Sequence, residues 1–284
     1  MTSPLRLVPD GELAWPGLSV FDPVYIGVDE FGLPTSVSLI ERNMLIGGEP
    51  GAGKSSLVNT IVAHLVLSHD CDLVLMDPKQ VEMWQWQKSA KVFVGPDIVK
   101  AISVLRRLQI LMDKLYEQLR RWDRRKIERG DAFRPIALVI DELAYFSATV
   151  GDKKLRELFS ELLRDLVARG RAVGIIVIAA TQRPSSDIIP TSLRDLFAWR
   201  FAGRCTTDAS SDIVLGRGWA DKGYTTTSVD PNNRGLGLLL AEDGVPALVK
   251  PAYLDDFECA RIAAYAAMLR ASDIPVSVRM PVAA

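Results

Sequence analysis

The stretch GEPGAGKSS carries the chemistry most directly readable from this sequence. Gly48, Glu49, Pro50, Gly51, Ala52, Gly53, Lys54, Ser55 and Ser56 fit G-x-x-x-x-G-K-[ST] with its spacing intact. The glycines let the main chain turn its N–H groups inward around a phosphate, and a following helix adds the partial positive charge of its N-terminus. Lys54 is placed to reach β and γ phosphates, and the Ser55 hydroxyl to hold Mg²⁺, so ATP and Mg²⁺ are the expected ligands. A glycine-rich loop that binds nothing is the bland alternative. It is disfavoured by the strand NMLIGG before the loop and the apolar helix after it.

A phosphate loop alone does not separate kinases, GTPases and motors. The run IALVIDE supplies Asp141 at the end of an apolar strand, where a carboxylate can bind Mg²⁺ through the ion's water. Glu142 follows it. The pair suggests hydrolysis of ATP by water, with Glu142 polarising the nucleophile, because a kinase would position a substrate hydroxyl instead. The alternative is a carboxylate capping the next helix.

A third element ends the same way. GIIVIAAT has the length and β-branching of a strand covered on both faces, and it stops in Gln-Arg-Pro. Gln182 then stands at the carboxyl edge of a parallel sheet, where ligands sit in open α/β folds. A loop amide capping a helix would look the same in this stretch alone. If the strand lies beside the one ending in Asp141, Gln182 emerges next to the γ-phosphate and can pass its presence to the segment after Pro184.

These residues need a scaffold, and the hydrophobic pattern provides one. Residues 1–40 are proline-punctuated and read as an irregular coat with a short hairpin around VYIGVDEFG. Strands and helices then alternate. NMLIGG, DLVLMD, KVFVG, IALVIDE, GIIVIAAT and FAWRFAG read as strands, and GLGLLL with VPALVK as a closing antiparallel hairpin. Apolar residues at steps of three and four predict helices over 55–67, 97–122 and 155–167. The βαβ rhythm predicts an α/β fold with a mostly parallel sheet flanked by helices on both faces. The expected organisation is a coat over 1–40, an ATPase domain over 41–254, and a C-terminal helix and tail over 255–284.

Composition narrows the class without naming a partner. With 284 residues, 48% apolar and 24% charged, the chain can bury a substantial core, and its net charge of −1 does not announce nucleic acid. No apolar run reaches the roughly 18 residues of a membrane helix, and the N-terminus lacks a signal-peptide core, so a cytoplasmic protein is expected. Cys71, Cys205 and Cys259 are far apart, which argues against a zinc site. Between Lys114 and Arg129 seven basic and three acidic residues leave a net of +4. Such a patch can contact DNA phosphates, but a solvated helix end laced with ion pairs, or a subunit contact, fits it better.

Taken in order, the motifs resemble the FtsK/SpoIIIE-type DNA translocases. The resemblance rests on Ile26–Gly27 with Gly32, MLIGG into the phosphate loop, MDPK at 76–79, DEL at 141–143, RGRAVGIIVIAATQRPSSDII at 169–189, WRFAGRCTTDASSDIVLG and GLGLLL. It covers roughly residues 24–250. The phrasing EPGAGKSS, DPKQVEMWQW and IDELAYFS is similar to the short members carried by actinobacterial plasmids and integrative conjugative elements.

The resemblance implies a RecA-like motor domain in a homo-hexameric ring, with double-stranded DNA through its channel and a role in conjugal transfer. It implies membrane-associated transfer proteins as further partners, with recruitment to a membrane left open and no intrinsic span. The alternatives are a secretion motor driving protein export and a chromosome-segregation pump. The sequence also reads as ending without a winged-helix module, which leaves sequence-specific loading open. Arg200, in WRFAGR, matches the arginine of the family's R-I-A-F stretch, and the expectation is that it reaches the ATP of a neighbouring subunit. Arg164, Arg169 and Arg171 are rivals for that role.

Overall fold

A computed structural model describes residues 6–7, 13–14, 18–242 and 244–271. Residues 1–5, 8–12 and 15–17 of the expected coat lie outside the described residues, as does the tail beyond Ala271. Two short antiparallel pieces, β1 (Arg6–Leu7) and β2 (Leu13–Ala14), stand apart from the main sheet.

The main sheet follows from apolar runs that can be buried on both faces. β5 (Met44–Gly47), β6 (Asp72–Met76) and β9 (Ile175–Thr181) are buried along their whole lengths. Strands of that kind pair in parallel with helices on either side. With β3 (Val24–Asp29), β4 (Pro34–Val37), β7 (Val92–Val94), β8 (Ile136–Ile140), β10 (Trp199–Gly203), β11 (Gly237–Leu240) and β12 (Ala247–Pro251) they form one ten-stranded sheet, in the order β4-β3-β12-β11-β10-β5-β9-β8-β6-β7. From β10 to β7 every pairing is parallel. From β10 to β4 every pairing is antiparallel.

The expected hairpin around residue 27 is present as β3 and β4, but it extends the main sheet and is not part of a separate coat. Val24 and Ile26 are fully buried in the layer beneath α1 (Lys54–Leu67), and β3 pairs with β12. Gly27 makes that pairing possible. At φ +152°, a Cβ there would lie 2.1 Å from the Lys250 carbonyl oxygen.

Helices cover both faces of the sheet. α2 (Ile98–Arg121) and α3 (Lys153–Arg169) pack their apolar stripes on one face, while α1 and α6 (Asp256–Ala271) cover the other. Asp97 and Asp152 begin α2 and α3 as N-caps, each accepting a main-chain N–H at 2.9 Å. Arg270 closes α1 by donating to the carbonyls of Leu65, Val66, Ser68 and Cys71, each at 3.0 Å. Two short helices, α4 (Thr191–Arg194) and α5 (Asp208–Leu215), flank β10. Among the described residues, no helix is long and apolar enough to cross a membrane.

Two buried contacts fix the strands that carry the site. Fully buried Asn43 donates to Val167 O and accepts from Val177 N–H, both at 2.8 Å, tying the end of α3 to β5 and β9. Phe146 stacks on Phe159 at 5.2 Å and anchors the turn after β8 onto α3. Truncating either ring to alanine is expected to cost about 3–5 kcal/mol.

Candidate functional site

Three neighbouring parallel strands deliver the site. Register places Gly47 of β5 beside Thr181 of β9, and Ile140 of β8 beside Ala179. The phosphate loop, Asp141–Glu142 and Thr181–Gln182 therefore leave the same sheet edge side by side. That edge is the carboxyl end of the parallel strands, where an open α/β sheet holds its ligands.

The phosphate loop is fastened to its neighbours at its start. Gly48 N–H donates to Thr181 O at 3.3 Å and Glu49 N–H to Arg204 O at 3.1 Å. Glu49 Oε1 accepts the main-chain N–H of Thr206 at 2.8 Å and its hydroxyl at 2.5 Å. Gly53 ends the loop at φ +83° with α1 starting at the next residue, and a Cβ there would lie 2.2 Å from the Cα of Gly235. No side chain fits that approach.

Lys54 and Asp141 form a buried ion pair. The ammonium donates to Asp141 Oδ1 at 2.7 Å and to its carbonyl at 2.9 Å, with the side chains only 3% and 0% exposed. Asp141 Oδ2 is buried and has no hydrogen-bond partner among the described residues. A buried, unpartnered carboxylate oxygen on Asp141 and a hydroxyl on Ser55, the residue after its partner Lys54, are hard oxygen donors, the kind Mg²⁺ takes when phosphate and water complete its shell. Among the described residues, no cluster of three or more His, Cys, Asp or Glu could hold a metal unaided.

Glu142 is held from the adjacent strand. Its Oε1 accepts the Thr181 hydroxyl at 2.7 Å, and the Gln182 main-chain N–H donates to both carboxylate oxygens at 3.2 and 3.0 Å. Ala144 N–H also approaches Oε1 at 3.3 Å, so a capping contact coexists with the strand-to-strand link. Gln182 lines the cleft beside the phosphate loop, and its main chain touches Glu142.

The sequence does not single out Thr181 or the far wall of the cleft. A cleft of about 450 Å³ is lined by Glu49, Gly51 to Ser56 and Gln182 on one side, and by Arg234, Gly235, Lys250, Pro251 and Tyr253 on the other. A lone hydroxyl closing an otherwise apolar strand is the signal that could have found Thr181. The far wall comes from segments distant in the chain and has no such local mark.

Asp77, from MDPK, organises a loop. Its carboxylate accepts the N–H groups of Lys79, Gln80, Glu82 and Met83 at 2.8–3.1 Å and so fixes the turn after β6. Burial pushes its pKa above the ordinary aspartate value and neighbouring Asp141 adds to this, against the lowering by the N–H groups of Met83, Gln80 and Glu82.

Arg200 lies apart from this group. It sits toward the amino end of β10, whereas Gly203 at the other end approaches the phosphate loop. Its side chain is 14% exposed, with Nη1 3.8 Å from Asp195 Oδ1 and a buried Nε without a hydrogen-bond partner. Burial, ahead of neighbouring Arg194, pulls its pKa below the usual guanidinium value. Of the rival arginines, Arg169 is tied to Asp165 at 2.6 Å and Asp113 at 3.0 Å, and Arg171 approaches Glu242 at 3.5 Å. Arg164 lines a separate cavity between α3 and the 187–193 segment.

The basic stretch after α2 is laced with ion pairs. Arg124 is bidentate on Asp131 at 2.8 and 3.0 Å, Lys126 pairs with Glu41 at 2.8 Å, and Arg129 with Asp22 at 2.5 Å. Trp86 is fully buried, with its Nε1–H on Asn59 Oδ1 at 3.0 Å, and so serves packing.

A mostly parallel sheet with a phosphate loop and an acidic pair on adjacent strands is the α/β fold of P-loop ATPases. The chain is similar to the solved pCW3 conjugation coupling protein TcpA, monomer form with ATPgS, at 23% identity and TM-score 0.75, covering 94% of this chain and 74% of that one. It is also similar to ATPases 2 and 3 of EssC from Geobacillus thermodenitrificans, at 16% identity and TM-score 0.72, covering 95% and 53%. At these identities the likeness is one of fold. Residues 23–137 match the FtsK/SpoIIIE family. The DNA translocase FtsK of Treponema pallidum is 31% identical over 263 residues, 86% of this chain and 31% of the relative. That of Staphylococcus epidermidis is 29% identical over 221 residues, 70% and 27%. The chain therefore carries an FtsK/SpoIIIE-family domain. It spans about a third of the length of these curated relatives.

Proposed function

We propose that this chain is an ATP-driven motor that moves double-stranded DNA, acting in conjugal transfer of a plasmid or integrative element. The single observation that carries the ATPase at the heart of this reading is the bonding of Glu142 by Thr181 and Gln182, at the end of the strand between those that lead to the buried Lys54–Asp141 pair. A carboxylate fixed in that way can accept a proton from water as the water attacks phosphorus.

On this reading the main-chain N–H groups of residues 48–56 cradle the phosphates of ATP. Lys54 turns from Asp141 to the β and γ oxygens, where an ammonium offsets their charge. Ser55 and Asp141 hold Mg²⁺, which when bound neutralises phosphate charge. Glu142 orients and deprotonates the water, and the Gln182 amide stands beside the γ-phosphate. Arg200 of one subunit serves the ATP of its neighbour in a homo-hexameric ring, which requires it to leave Asp195. The FtsK relatives and the conjugation coupling protein TcpA support DNA as the cargo and conjugation as the setting.

The test is Glu142→Gln. The amide keeps the size of the group and removes the base, so the variant should bind ATP like the wild type and hydrolyse it roughly 10² to 10⁴ times more slowly. Hydrolysis at the wild-type rate would remove Glu142 from the reaction.

A further inference from the structure

The cleft beside the phosphate loop has two ends of different chemistry. Lys54 and Gln182 mark one end, joined to Asp141 and Glu142 by the contacts described above. The other end is walled by the turn at 234–235 and by the chain leaving β12 at 250–253. Strand order explains the polarity. β9 and β8 lie on one side of β5, and β10, β11 and β12 lie on the other. A nucleotide whose terminal phosphate meets Lys54 and Glu142 therefore directs its sugar and base toward the β11–β12 side.

That far wall is built, and is not an accidental approach of loops. Lys250 Nζ donates to Asn233 Oδ1 at 2.6 Å and also to the Arg234 carbonyl. Gly235 lies against Gly53, so closely that a Cβ on Gly53 would sit 2.2 Å from its Cα. The Thr60 hydroxyl donates to Ala252 O at 3.0 Å and fixes the chain just before Tyr253 onto α1. These bonds hold Tyr253 and Arg234 in the cleft wall while leaving Tyr253 75% exposed. Tyr253 is the aromatic residue among those lining the cleft.

We propose that Tyr253 is the platform on which the base of the bound nucleotide stacks. An exposed ring gains by covering its face with another π surface, and a base covers it with little demand on which base is present. Arg234 places a cation at the same end, where the sugar-proximal phosphate of a nucleotide would pass. On this wall Tyr253 suits stacking and Arg234 suits phosphate contact. The inference rests on the phosphate loop binding a nucleoside triphosphate, as proposed above.

Calorimetric titration of the full chain with ATP and, separately, with inorganic tripolyphosphate tests it. Wild type, Tyr253→Ala and Tyr253→Phe are compared in the presence of Mg²⁺. Loss of one base–aromatic stack should weaken ATP roughly tenfold in Tyr253→Ala, leave tripolyphosphate within about twofold, and spare ATP in Tyr253→Phe. Equal weakening of both ligands in Tyr253→Ala, or ATP binding unchanged by it, would overturn the platform while leaving the phosphate loop intact. A Tyr253→Phe variant as weak as Tyr253→Ala would also overturn stacking. A wild type that binds neither ligand would instead contradict the phosphate-loop reading itself.

Discussion

The Thr181 hydroxyl donates to Glu142 Oε1 at 2.7 Å, joining the last residue of β9 to the acidic pair that follows β8. Thr181 is fully buried, so this is a bond with little competition from water. It leaves the second carboxylate oxygen held by the Gln182 N–H. Thr181→Val keeps shape and burial and removes the donor. A hydrogen bond to a charged group is worth about 1.5–3 kcal/mol, so the hydrolysis rate should fall roughly 10- to 100-fold with ATP affinity unchanged, and Thr181→Ser should recover much of it. An unaltered rate in Thr181→Val would mean that the main-chain N–H groups of Gln182 and Ala144 suffice to orient Glu142.

The Lys54–Asp141 pair should also be visible in stability. Removing one member of a buried pair leaves an uncompensated charge, at a cost of about 3–5 kcal/mol, whereas removing both leaves none. Urea unfolding of Lys54→Met should show a loss in that range. Lys54→Met with Asp141→Leu should be the more stable of the two variants, even though both are inactive. A double variant weaker by the sum of the two single losses would show that the groups do not interact.

Arg200 can be assigned to a neighbour's site by subunit mixing. Arg200→Ala and Lys54→Ala should each be inactive, yet their mixture should regain part of the ATPase, because an intact Lys54 on one subunit then meets an intact Arg200 from the next. An inserted guanidinium of this kind is worth about 10³ to 10⁵ in rate. Mixtures that exchange subunits and recover nothing would place Arg200 in a role within its own chain, in keeping with its contact to Asp195.

The three thiols predict a pH response. Burial pushes Cys71 up to about 12, and Cys205 and Cys259 up to about 11. Only the thiolate is nucleophilic, so raised values mean that the reactive fraction falls at any given pH and returns only as pH approaches the shifted value. Iodoacetamide at pH 8 should leave all three unmodified in the folded protein and alkylate all three in urea. Rapid labelling of Cys259 in the folded protein would show that α6 opens readily from α1.

What the sequence disclosed and what it hid divide along a physical line. The phosphate loop, Asp141–Glu142 and Gln182 were readable because each is a short motif at the end of an apolar run, and because wholly apolar runs such as IIVIAA have few places to go except the centre of a sheet. The α2 and α3 stripes were readable for the same reason, since periodicity is local. Partners set by long-range pairing were not. Nothing local marks the close approach of Gly27 to β12, or the place of Tyr253 on the cleft wall. Thr181 does not stand out in the sequence because its partner, Glu142, comes from another strand. The 114–129 stretch reads as better suited to ion pairs than to DNA contact, and Arg124, Lys126 and Arg129 do pair with Asp131, Glu41 and Asp22.

The central claim, that ATP hydrolysis at this site drives movement along DNA, is tested most directly by the steady-state ATPase rate as linear duplex DNA is added. The rate should rise severalfold with duplexes of unrelated sequence, because a motor that grips the backbone reads no bases. The stimulation should fall along a straight line on a log–log plot against salt, as phosphate contacts release counterions, and it should vanish in Glu142→Gln. A rate indifferent to duplex DNA, or raised instead by a secreted polypeptide, would contradict the DNA motor and favour protein export.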